Sequence, residues 1–319
     1  MIIEKKKLFK WVGGKKWIKD PLIDIVNNQV EGNRKIDTYI EPCVGGLGSF
    51  LAIANTLVSR GVKNVYLNDI NEVLISTFRD LQKNNRSLYD EYIRIEKEYE
   101  SRIPKEFRVL SKGMLKEDIK KALKPAQLFF LEKRKEYNSI KSTASIKRSA
   151  LFIFLMQHVF NGVYRENGRG ELNSPYNWEP KIAVQQEKIQ LFSAYKNLFE
   201  KFNLHFSSKD IFTFLEEVDV NWENTICYID PPFMNKKNDE LKYSKDQFTK
   251  DHQKQLLNEI KDRGIVNLIY SNHDFDLFVD FANEMDFIAK KFYRSNRINP
   301  ANAVKVAELL IYKEYYTNI

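Results

Sequence analysis

The chain has 319 residues, 43% hydrophobic and 13% aromatic, with a formal charge of +8, enough apolar material for a large core in one domain or a domain with an insertion. No apolar run is long enough to span a bilayer, and the N-terminal MIIEKKKLFKW lacks the apolar stretch of a signal peptide, so a soluble cytoplasmic protein is expected. Only Cys43 and Cys227 occur, far apart, and His158, His205, His252 and His273 show no ligand spacing, which argues against a disulfide framework or a metal site.

In chain order, the first predicted strand is Asp37 to Glu41. It leads into Glu41-Pro42-Cys43-Val44-Gly45-Gly46-Leu47-Gly48-Ser49-Phe50, a glycine-rich turn followed by an apolar helix. A second strand, Val65 to Asn68, ends at Asp69, 21 residues beyond Gly48. Glycines at such a turn let the backbone approach a ligand, and a carboxylate at the next strand end can accept hydrogen bonds from ribose hydroxyls. No Gly-Lys-Ser/Thr follows, and the spacing departs from G-x-G-x-x-G. Glu41 would repel a pyrophosphate and attract a cationic group. S-adenosylmethionine, with its sulfonium and ammonium, suits that arrangement, although a tight strand-to-helix connection alone would also explain the glycines.

About 155 residues of mostly helical pattern follow, with charged amphipathic stretches from Leu88 to Tyr137 and an apolar helix from Ile146 to Phe160. Between Arg79 and Arg148 stand 19 Lys/Arg against 11 Asp/Glu, so this stretch holds the whole positive excess. Such a run suits a polyanionic partner, but it is also what a solvated helical face looks like, and Glu96 with Glu100 or Lys133 with Lys135 reads as surface patterning. Four more strands are predicted: Thr225 to Ile229, Val266 to Tyr270, Phe287 to Tyr293 and Glu308 to Tyr312. The chain therefore reads as an α/β sheet domain, residues 1–71 and 188–319, interrupted by a basic helical insertion, residues 72–187.

The third strand runs into Asp230-Pro231-Pro232-Phe233. Open α/β sheets place ligands at the carboxyl ends of their strands. Two prolines fix φ and remove two donors, so the carbonyls of Asp230 and Pro231 can face a ligand. An amino group between the Asp230 carboxylate and the Pro231 carbonyl would have both protons accepted, and Phe233 could stack on the ring that bears it. Taken alone, the tetrapeptide is equally a strand end closed by a Pro-Pro turn.

The ordered set FKWVGGKKWI, YIEPCVGGLGSFLA, YLNDINEVLI, FNGVYRENGRGELNSPY, CYIDPPF, FTKDHQKQL, LIYSNHDF and RSN followed by KVAELLIY resembles the Dam-like (D12 class, α group) DNA adenine-N6 methyltransferases over most of the chain. The resemblance implies a Rossmann-like methyltransferase sheet that uses S-adenosylmethionine, with the insertion as target-recognition domain on double-stranded DNA. It implies that Trp11 and Lys15 belong to the cofactor segment, that Glu41, Pro42, Gly45, Gly46 and Gly48 hold the methionine part, that Asp69 holds the ribose, and that Asp210 lies near the cofactor adenine. Asp230, Pro231, Pro232 and Phe233 would be catalytic, with Asp230 also among the cofactor-binding residues and Phe233 standing where most relatives have Tyr. Phe160 would wedge into the duplex, Asn161 would hold a phosphate and Arg165 would read the guanine 5′ of the target, favouring a site containing GA such as GATC. Val163, Pro175 and Tyr176 belong to that segment, and Ser271, Asn272, Arg294, Asn296 and Lys305 to further stretches near base and DNA. From the residues alone, Phe160 could instead close the apolar helix as a core aromatic and Arg165 serve as a helix C-terminal charge. The family expectation is a monomer acting beside a restriction endonuclease or alone. Methylation of RNA, of a protein amide or of cytosine N4, and a catalytically silent DNA-binding repressor, are the alternatives.

Overall fold

A computed structural model describes residues 7–33, 35–105, 115–142, 145–179, 185–233, 248–295 and 305–315. The chain divides into two compact units, residues 14–70 with 201–319 and residues 1–13 with 71–200.

The first unit is built on seven strands: β1 (Thr38–Glu41), β2 (Asn64–Asn68), β3 (Asn203–Ser207), β4 (Thr225–Ile229), β5 (Leu268–His273), β6 (Ile288–Ser295) and β7 (Lys305–Tyr312). Their order is β3-β2-β1-β4-β5-β7-β6, with β1 to β5 parallel and β7 antiparallel to both neighbours. Every residue of β1 and β4 is buried, as expected of central parallel strands covered on both faces. From β1 the chain moves outward to β2, and from β4 it moves the other way to β5. The point between them is where such sheets open a crevice beyond the strand ends.

β3 is absent from the sequence reading: NLHFS has an exposed first residue and little continuous apolar run, the profile of an edge strand. β5 also runs further than expected, to His273 rather than Tyr270, because β7 pairs along that extension, His273 opposite Glu308. Ser271, Asn272 and His273 are therefore strand residues, not loop residues.

The second unit is helical: Glu72–Lys83, Asn85–Glu100, Lys116–Ala122, Lys124–Ser139, Ile146–His158 and Gln185–Phe199. Its axis is Ile146–His158, buried at every position from Ser149 to Met156, the signature of a helix enclosed by others. Helix Gln185–Phe199 packs on the helices Glu72–Lys83 and Asn85–Glu100, so it belongs here, whereas the sequence reading puts the boundary at 187/188. Glu96 is not surface patterning: it is 1% exposed, takes a hydrogen bond from the Tyr92 hydroxyl at 2.8 Å and lies 3.3 Å from the His158 ring. Lys133 is likewise buried along its stem, over the Phe129 ring and paired with Glu136 at 3.1 Å. Among the described residues no helix is long and apolar enough to cross a membrane.

Candidate active site

The carboxyl end of β4 delivers Asp230 to the crevice beside β1, mostly buried at 16% side-chain exposure. The Lys15 ammonium, itself almost completely buried, stands 3.0 Å from its Oδ1. Lys15 also donates to Glu308 Oε1 on β7 and, at 3.3 Å, to Ser271 Oγ on β5. The Ser271 hydroxyl donates in turn to Glu308 at 2.6 Å. Two carboxylates thus share one cation. Burial pushes the Asp230 carboxyl up to about 6; Lys15 opposes the rise and Glu308 adds to it.

The two prolines behind Asp230 are held by Gln253 on helix Lys250–Asp262, whose Nε2 donates to the Pro232 carbonyl at 2.8 Å. Its Oε1 accepts the Tyr270 hydroxyl at 2.6 Å, and Asn272 Nδ2 approaches both, at 3.4 and 3.3 Å. Phe233 is partly exposed, with Lys15 Nζ 4.7 Å from its centroid and the His273 ring edge-on at 4.8 Å. Each gives the ring a fixed plane.

At the end of β1 the glycine turn folds back on β2. Val44 N–H donates to the Asn68 carbonyl at 2.8 Å and Gly45 N–H to Asp69 Oδ2 at 2.9 Å. Gly45 adopts φ 49°, a left-handed conformation that glycine enters at little cost. Gly46 follows half-buried, and Gly48 opens helix Gly48–Ser59. Asn68 ties the region together: its Nδ2 donates to the carbonyls of Pro42 at 3.0 Å and Lys209 at 2.9 Å, and its Oδ1 accepts from Ser207 and Lys209.

Glu41 is fully buried and accepts hydrogen bonds from the Tyr39 hydroxyl at 2.8 Å and from Ser49. Burial raises it to about 8, the two hydroxyls pulling the other way. A carboxyl that burial keeps largely protonated, with two hydroxyls favouring its charged form, fits a cationic ligand, whose charge would complete its ionisation. Asp210 is exposed and serves as N-cap of helix Ile211–Glu217, accepting from Phe212 N and Thr213 N, both at 3.1 Å, and from the Thr213 hydroxyl.

Trp11 and the predicted residues from Phe160 to Tyr176 lie in the helical unit. Trp11 stacks on Tyr164, centroids 5.8 Å apart, and meets Phe9 and Phe152. Beyond helix Ile146–His158 the chain turns sharply through Phe160–Gly162, with Asn161 at φ 55° and Gly162 at φ 67°. A Cβ on Gly162 would meet Lys10 Cβ at 2.4 Å, so only glycine fits. Phe160 is 51% exposed, which removes the core-aromatic reading, and Arg165 is exposed in an irregular loop, not at a helix end. The loop's two sides are laced: Arg165 N–H donates to Ser174 Oγ at 2.9 Å, Ser174 Oγ to the Val163 carbonyl at 2.7 Å, and Asn173 N–H to the Arg165 carbonyl at 2.9 Å.

Helix Lys124–Ser139 clamps that loop from outside. Asn138 accepts the Leu172 N–H at 2.9 Å and donates to the Leu172 carbonyl at 3.0 Å, and Arg134 donates to the Ser174 carbonyl at 2.8 Å. Pro175 is exposed and its carbonyl accepts Phe160 N–H at 2.9 Å. Tyr176 is 4% exposed and its hydroxyl meets that of Tyr99 at 2.6 Å, so it anchors the loop base. Ser271 and Asn272 are likewise fully buried, with their side chains in the network of Glu308, Gln253 and Tyr270. Arg294 and Lys305 lie on the paired strands β6 and β7, and Asn296 lies outside the described residues.

Sequence reasoning missed Glu308, Gln253 and Asn68. Each carries a signal: Glu308 interrupts an apolar strand, and Gln253 shares a helix face with Leu256, Leu257 and Ile260. Asn68 gives none, since polar residues at strand ends are common.

A family model described as D12 class N6 adenine-specific DNA methyltransferase matches residues 11–296. The type II methyltransferase M.MjaIII of Methanocaldococcus jannaschii is 30% identical over 285 residues, covering 86% of this chain and 87% of that protein. The DNA adenine methylase of Haemophilus influenzae is 24% identical over 97% of this chain and 93% of its own, and that of Escherichia coli (strain K12) 27% identical over 98% and 97%. With a family match across most of its length, this chain belongs to the D12 class N6 adenine-specific DNA methyltransferases and is an adenine-specific DNA-methylating enzyme.

Proposed function

We propose that the chain takes its methyl group from S-adenosylmethionine and delivers it to N6 of an adenine flipped out of a short double-stranded site containing GA, with GATC the leading candidate. The observation that carries this reading is the Asp230-Pro231-Pro232-Phe233 turn at the β1/β4 switch point, with a buried cation on its acid and a held aromatic at its end. Asp230 and the Pro231 carbonyl accept hydrogen bonds from the two N6 protons, drawing the nitrogen toward tetrahedral geometry and freeing its lone pair. One of the two protons is released to solvent once N6 carries the methyl group. Phe233 stacks on the extruded ring. When bound, S-adenosylmethionine supplies an electrophilic methyl on a sulfonium. Glu41 and the glycine turn hold its methionine end and Asp69 its ribose. Positioning and electrostatics supply the main rate terms.

Flipping costs roughly a few kcal/mol of stacking and pairing. The exposed Phe160 is the wedge that fills the vacated stack, Asn161 holds a phosphate, and Arg165 offers two parallel donors to guanine O6 and N7. The basic stretch adds salt-dependent, sequence-independent affinity. The relatives named as DNA adenine methylases and as a type II methyltransferase support two settings for a cytoplasmic monomer: independent marking, or protection beside a restriction endonuclease.

The test is long-read modification mapping of DNA from a methylation-deficient host expressing the wild-type chain or Asp230→Ala. N6-methyladenine at one short motif containing GA, present with wild type and absent with the variant, is the expected result. A motif without GA, or methylation that survives the substitution, overturns the corresponding part of the reading.

A further inference from the structure

Glu308 is a carboxylate 2% exposed on β7, flanked there by Ala307 and the apolar run Leu309, Leu310, Ile311. Burying an ion costs several kcal/mol unless good partners repay it, and an apolar pair of similar volume would serve stability as well or better. Nor does any step above use it. Its hydrogen-bond partners are Lys15 and Ser271, and neither lies near it in sequence.

A lysine ammonium has three protons. Here one goes to Glu308 and one to Ser271 Oγ, and the nitrogen stands in ion-pair contact with Asp230 Oδ1 at 3.0 Å, a buried oxygen that takes no hydrogen bond among the described residues. The same nitrogen sits over Phe233 at 4.7 Å. The tripod therefore fixes the ammonium against both the acid and the aromatic of the Asp230–Phe233 turn. We propose that Glu308 is a positioning residue for methyl transfer: it shares the Lys15 charge, so that Asp230 is oriented but not fully neutralised and remains a strong acceptor for the adenine amino group. This rests on the catalytic role assigned to Asp230 above.

The charge on Glu308 raises the Asp230 carboxyl and that on Lys15 lowers it. The other titratable groups around Asp230 are Glu41 and Cys43 at the end of β1, Tyr228 on its own strand and Tyr270 on β5, with His273 against Phe233. Removing the Glu308 charge while Lys15 stays takes away one raising influence and hands more of the cation to Asp230. Both changes favour ionised Asp230 at lower pH while making it a weaker acceptor.

The experiment measures single-turnover methylation against pH, with S-adenosylmethionine and a duplex carrying the mapped site, for wild type, E308Q, E308D and D230A. Donor affinity and circular dichroism are recorded for each. We expect E308Q to lose about tenfold to a hundredfold in plateau rate, more than it loses in donor affinity, with its acidic limb moved to lower pH. E308D keeps the charge with a shorter reach, so its rate falls between the two and its limb stays near that of wild type. A wild-type plateau and an unmoved limb in E308Q overturn the proposal. Should E308Q not fold, a wild-type rate in E308D overturns it. An active D230A would instead overturn the assignment of Asp230, a separate failure.

Discussion

The crevice of the sheet unit and the 160–176 loop of the helical unit are both built to hold a few side chains still, by opposite means. In the crevice, ionisable groups are buried against one another: Lys15 with Asp230 and Glu308, and Glu41 with the Tyr39 and Ser49 hydroxyls. In the loop, hydrogen bonds to backbone, none of them involving a carboxylate, hold an exposed tip through Ser174, Asn138 and the permanently charged Arg134. The first construction makes function depend on pH and on single charges; the second makes it depend on shape and tolerate changes in ionisation.

The sharpest break of that contrast is D230A, which we expect to reduce methyl transfer by at least about a thousandfold, while DNA affinity, measured by fluorescence anisotropy, stays near wild type. Next is Glu41. Its carboxyl sits at about 8 in the folded chain against an ordinary value of 4.5. Its contribution to stability is thus complete below the unfolded value and is lost as pH rises through the folded one. Glu41→Gln should flatten that slope, gaining up to a few kcal/mol relative to wild type near pH 9 in denaturant titrations. The linkage for a cationic donor has the other sign: binding draws the carboxyl down and releases a proton. Wild-type affinity therefore falls as pH drops from 8 toward 6, and calorimetry in buffers of different ionisation enthalpy counts the proton. An affinity that does not vary over that range would remove Glu41 from the donor site.

Smaller effects are expected in the loop. Arg165→Ala should cost about 1–3 kcal/mol of discrimination at one base pair, read from methylation of duplexes substituted at each position, with donor affinity unchanged. Asn138→Ala removes both bonds to Leu172 and should cost about 1–2 kcal/mol of stability. Its methylation of near-cognate sites should rise relative to the cognate one. If specificity is unaltered, the clamp is structural only.

How much of this was legible beforehand differs between the two regions. The buried run Thr225–Ile229 and the glycine turn mark their strand ends, because periodicity and proline or glycine chemistry are local. What joins the strand ends is not local: Lys15 and Glu308 are 293 positions apart, and β3 needs β2 beside it to be a strand. Glu96 read as one member of a surface charge pattern because its neighbours in sequence are charged; its neighbours in space are Tyr92 and His158. The exposure of Phe160 and the burial of Tyr176, two aromatics in one short motif, were likewise beyond any pattern, since the reversal at Asn161 and Gly162 decides which ring faces out.

The grip of Asn138 on Leu172 reaches only main-chain atoms, one donor and one acceptor. Such a grip is blind to the side chains of the segment it holds. Exposed residues of the span such as Arg165 and Arg169 can therefore be exchanged without loosening the hold, provided that Asn167, which accepts the Arg169 and Glu171 N–H groups, and the buried Leu172 are kept. That makes this span the place to graft new sequence preferences onto an unchanged catalytic chain.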